Sequence, residues 1–178
     1  MTVLLAALLT AVVPAAAGAK LPKPKTKLIV PGKSIAGVSL NMAESKAKAQ
    51  WGSGAKCTKF PTIPGEKAQE GCDWREGPAL SDASAHITFL GGKVYLVVIT
   101  TQKDKKTFKP KGKQFAAWKT AKGIAVGSKI AAVGKAYPAA KRNLSEGGIG
   151  WDLIQPKAIT SFGGKTIVES ISIRLPAV

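Results

Sequence analysis

The chain has 178 residues, is 45% hydrophobic and carries a net charge of +17 from 27 basic and 10 acidic residues. All but Arg75, Arg142 and Arg174 of the basic residues are lysines. Base-edge recognition favours the planar fork of arginine over the point charge of lysine, so this balance argues against sequence-specific nucleic-acid reading and for diffuse attraction to a polyanion.

Residues 1–19 (MTVLLAALLTAVVPAAAGA) contain no charge and close on Ala17-Gly18-Ala19. The apolar run Val3–Val13 is shorter than the roughly 20 residues that span a bilayer. The pattern is that of a cleaved secretory signal peptide, although no Lys or Arg precedes Val3. Residues 20–27 (KLPKPKTK) read as an extended Lys- and Pro-rich arm. The rest divides into a first repeat over 28–102, a basic linker over 103–113 and a second repeat over 114–178.

The repeat rests on three blocks. Gly37–Trp51 and Gly123–Tyr137 share one offset, with Leu40 on Val126, Ala47 on Val133 and Trp51 on Tyr137. Trp74 falls on Trp151. The run Ile87-Thr88-Phe89-Leu90-Gly91-Gly92-Lys93 returns at Ile159–Lys165 as ITSFGGK. Each copy then reads as a helical part followed by a small sheet. In the first, Asn41 caps a helix whose third residue on is Glu44, as in a capping box. Met42, Ala47 and Trp51 form its apolar face, and Gly52 closes it. In the second, Ser128 is the cap, Ile130, Val133 and Tyr137 the stripe, and Pro138 the stop. A short helix or turn is expected near Ile29–Ile35 and again near Phe115–Lys122.

The sheet part begins with strands carrying Trp74 and Trp151. Hairpins follow: His86–Leu90, Gly91-Gly92, Val94–Thr101 in the first copy, and Ala158–Phe162, Gly163-Gly164, Thr166–Leu175 in the second. Alternation in the last strand puts Ile167, Ile171, Ile173 and Leu175 toward the helices. Carried to the first copy, it makes Tyr95, Val97 and Ile99 core and leaves Val94, Leu96 and Val98 on the open face. Glu169 breaks the pattern. The predicted fold is therefore α+β: two tandem repeats, each of short helices packed on a small antiparallel sheet.

Cys57 and Cys72 both lie in the first repeat. An even pair in an exported chain forms a disulfide. Closing a loop of this size stabilises by roughly 3 kcal/mol in the chain-entropy model. Only His86 could serve as a histidine ligand or base, and the ten acidic residues form no paired signature. No zinc spacing, nucleotide loop or nucleophile elbow occurs, so neither a metal, a cofactor nor enzymatic activity is expected.

An exported chain with two copies of G-x-x-[LV]…[WY], then Trp, then a strand–GGK–strand hairpin resembles the tandem repeats of the β-lactamase inhibitory protein family. It also resembles the single-repeat outer-membrane assembly small lipoproteins of bacteria. The resemblance implies aromatic side chains on a sheet surface that grip a partner enzyme. Trp74, Trp151 and Tyr95 are the candidates, although strand parity assigns Tyr95 to the core. Charge and the lack of a second disulfide set the chain apart from those inhibitors.

The expected function is that of a secreted or envelope-associated binding protein, acting through its sheet surface or its basic face. Partners are a protein or an anionic envelope polymer. A secreted enzyme inhibitor and a structural envelope protein held by anionic polymers are the alternatives. For polyanion binding, Lys103, Lys105, Lys106, Lys109, Lys111 and Lys113 are the candidates.

Overall fold

The structure is a computed structural model that describes residues 20–176 apart from 63, 78–81, 105, 108–110, 112–113 and 146–147. Residues 1–19, expected to be a signal segment, thus lie outside the described residues. In chain order the elements are β1 (Leu28–Val30), β2 (Ser34–Ile35), β3 (Val38–Ser39), α1 (Glu44–Trp51), β4 (Lys56–Lys59), β5 (Gln69–Arg75), β6 (Ser84–Leu90), β7 (Lys93–Thr100), β8 (Lys119–Thr120), α2 (Ile130–Ala136), β9 (Lys141–Ser145), β10 (Gly148–Gln155), β11 (Ala158–Gly164) and β12 (Ser170–Arg174).

These elements overturn the α+β expectation. Among the described residues, two helices of eight and seven residues stand against twelve strands. The strands form two sheets, an eight-stranded one in the order β4-β5-β6-β7-β12-β11-β10-β9 and a four-stranded one in the order β3-β2-β1-β8. The segments expected to be short helices or turns near Ile29 and Phe115 supply the small sheet or lead into it. Its strands are two or three residues long, too short to display an alternation.

The large sheet is antiparallel throughout. Two four-stranded meanders meet where β7 pairs with β12, at Ile99 opposite Ile171 and Val97 opposite Ile173. Trp74 stands opposite Ala85, and Trp151 opposite Phe162. The strand row therefore matches Ala85 with Phe162, whereas the GGK block would match Leu90 with it. The motif alignment is out of register by five residues. Gly91 and Gly92 do make the two-residue turn between β6 and β7, both at positive φ. Gly163 and Gly164 instead end β11, and the connection to β12 is longer.

The blocks around the helices do correspond. Asn41 N donates to Val94 O and Val94 N to Met42 O, just as Gly127 N donates to Val168 O and Val168 N to Ser128 O. Glu44 N donates to Gly92 O, and Ile130 N to Thr166 O. Each helix thus starts from a segment tied to the hairpin connection of its own half. These long-range bonds replace the predicted caps. The N-cap of α1 is Ala43 and that of α2 is Lys129, neither with a side-chain bond. Asn41 sits in a left-handed turn at φ 62°, and the Ser128 hydroxyl accepts from Ala125 N instead.

One buried cluster joins both halves and both sheets. Val97, Ile99, Ile171 and Ile173 face into it as alternation predicts. Val94 does too, against expectation. A bulge near Thr88 and Phe89, where the pairing slips from Leu96 to Val94, shifts the parity there. That slip takes Tyr95 out of the core row and leaves it half-buried.

Candidate functional site

The large sheet has one covered and one open face. Helices, small sheet and N-terminal arm lie over the first. Trp74 is completely buried there. Its Nε1 donates to Gly52 O, and its ring meets Trp51 edge-on at 5.2 Å. Trp151 points the same way and lies against Gly134 of α2. Trp74 is wholly committed to packing beneath the cover layer and Trp151 is half-buried against it, so neither stands on the open sheet face where the resemblance implied a gripping aromatic. Tyr95 contributes its carbonyl to Leu175 N.

The open face carries a row of directly paired residues across seven strands: Asp73, His86, Val98, Ser172, Ser161, Asp152 and Lys141. Leu96, Arg174, Ile159 and Ile154 form the next row. Both His86 nitrogens are engaged, Nδ1 with Asp73 Oδ1 at 3.0 Å and Nε2 with Thr88 Oγ1 at 2.9 Å. Asp73 also pairs with Arg75 at 3.6 Å. This arrangement fixes the ring within the face.

Cys57 and Cys72 form the predicted disulfide, with an S–S distance of 2.05 Å. Glu70 lies beside them, but the bonded sulfurs are not thiolate ligands. On the covered side Lys48 Nζ meets Glu44 at 2.6 Å and Glu70 at 2.8 Å. Burial pulls the Lys48 pKa down, but these two carboxylates outweigh it and hold the pKa above its ordinary value. A cleft of about 310 Å³ opens next to them, lined by residues that include Phe60, Phe89 and Lys59.

The basic segment is partly folded where it is described. Lys103 binds Glu169 at 2.7 Å, which accounts for the acidic residue that broke the strand pattern. Lys111 donates its backbone N–H to Gln102 O. Asp104 accepts from the N–H groups of Thr107 and Lys106, and the Thr107 bonds in particular hold its carboxyl below the usual range. Lys106 and Lys111 are exposed. Lys105, Lys109 and Lys113 lie outside the described residues.

Sequence reasoning looked for charge in this segment and missed a larger imbalance. Residues 20–52 and 114–136, the arm, helices, small sheet and adjoining turns, hold eleven lysines and a single acid, Glu44. All eleven except Lys48 are exposed. Residues 53–104, which contain the whole first meander, hold six basic and six acidic residues. The signal was present in the chain but visible only once the fold assigned those segments to one layer. No helix among the described residues is long and apolar enough to cross a membrane. No family model, curated protein or solved structure matches this chain.

Proposed function

We propose that this is an exported, non-enzymatic binding protein of the cell envelope or extracellular space, held to an anionic polymer through its cover layer. One observation carries the reading: the cover layer supplies net +10 of the chain's +17, while residues 53–104 are neutral. Concentrated lysine with little arginine suits a repeating anionic surface, because each contact is a solvated point charge and many act together. The disulfide fits an oxidising compartment, and the secretory pattern of residues 1–19 supports the same setting.

A secreted enzyme inhibitor is the weaker alternative, because Trp74 and Trp151 lie under the cover layer. The test is retention of the mature chain on an anionic polymer as salt rises. Screening at a Debye length of about 10 Å in 0.1 M salt makes polyanion binding fall steeply. Retention that is indifferent to salt refutes the reading.

A further inference from the structure

The large sheet ends in two edges, and its halves finish them differently. β4 and β9 occupy opposite ends of the strand order. Cys57 pairs with Cys72, two residues before Trp74. Leu144 pairs with Ile149, two residues before Trp151. The same register position is thus a covalent staple on one edge and a non-covalent pair on the other. At the unstapled edge Leu144 is 83% exposed. Lys141, Arg142 and Asn143 are exposed beside it.

An edge strand presents a row of N–H and C=O groups ready to pair, and lysines on it normally discourage that. Lys141 and Arg142, on a chain of net +17, disfavour a second copy and favour an acidic strand. Leu144 adds an apolar anchor next to a main-chain ladder, the combination used in strand addition.

We infer that β9 is a docking edge on which an extended, acidic segment of a partner protein adds as a ninth strand. Alternation places Lys141 and Asn143 on one face and Arg142 and Leu144 on the other. The segment therefore carries an apolar residue opposite Leu144 and carboxylates opposite Arg142 and Lys141. The inference does not rest on the polyanion reading, since it requires backbone pairing at one edge.

A fluorescent, short synthetic Glu-Val repeat peptide is the probe, titrated into the full mature chain and followed by anisotropy. It should bind, and Leu144→Asp should weaken it about tenfold or more, as loss of a central anchor does. The same peptide N-methylated at alternate backbone nitrogens retains charge and side chains but cannot pair, so it should not bind. This comparison uses the unaltered protein and stands even if the Leu144 variant misfolds. Equal binding of the two peptides overturns the inference, as does no binding of either. Sedimentation showing that β9 is buried in a dimer, released by Leu144→Asp, also overturns it in favour of a second copy. Replacing Lys27, Lys33, Lys119, Lys122 and Lys129 by Gln should weaken polymer retention yet keep the affinity lost on N-methylation, so the two proposals fail separately.

Discussion

Gly134 lies inside α2, where alanine would ordinarily be favoured by about 1 kcal/mol. A Cβ at this position would stand 2.6 Å from the Trp151 ring. The glycine lets the helix approach the indole, so close approach decides against propensity. Gly134→Ala should lower the melting temperature rather than raise it, and a calorimetric scan gives the sign directly. A raised midpoint would show that the ring moves aside without cost. Lys48 makes a second prediction at this scale. Its folded pKa is raised by Glu44 and Glu70. Its contribution is therefore complete below the ordinary lysine range and is lost as pH rises through the folded value. In urea titrations carried into the alkaline range, wild type should lose more stability than Lys48→Met. Parallel alkaline limbs would dismiss the ion cluster as a contributor. Residue chemistry also explains what the sequence made legible here. The disulfide was legible from an even pair of cysteines behind a secretory pattern, whereas the fates of Trp74 and Trp151 depend on which sheet face is covered, and that is not a property of either residue's neighbours in the chain.

At the scale of elements, the helix blocks were readable because G-x-x-[LV] and the terminal aromatic recur at one offset, and both Trp51 and Tyr137 do engage aromatics of the large sheet: Trp51 meets Trp74, and Tyr137 stacks on Phe162 at 5.7 Å. The caps were misread because local sequence cannot report bonds such as Asn41 N to Val94 O. The GGK block misled for a different reason. Glycine pairs permit a turn but do not set register, which here follows the tryptophan rows. The class was misjudged because strands of two or three residues leave no periodic signal. The covalent staple on β4 has its own consequence. A bridge across a separation of 15 residues is worth roughly 3 kcal/mol in the chain-entropy model. The Cys57→Ser, Cys72→Ser pair should lower stability by about that amount. Hydrogen exchange should show β4 opening first while β6 and β7 keep their protection. Uniform loss across the sheet would mean that β4 is integral to the core rather than pinned onto it.

Across the whole molecule, fold and charge divide the protein into two unlike sides. The open face mixes apolar side chains such as Val98 and Ile159 with paired charges such as Asp73 and Arg75. The cover layer holds lysine almost alone. The segment over 103–113 adds to that charge, but Lys103 is already committed to Glu169. The measurement that tests this most directly compares two charge variants of the mature chain on an anionic polymer across a salt gradient. One replaces Lys27, Lys33, Lys119, Lys122 and Lys129 by Gln. The other replaces Lys103, Lys105, Lys106, Lys109, Lys111 and Lys113. All five of the first set, and Lys106 and Lys111 of the second, are exposed, so circular dichroism should show each variant folded. If the cover layer carries the binding, the first elutes at much lower salt than wild type and the second falls between them. Elution of the cover-layer variant together with wild type would contradict it.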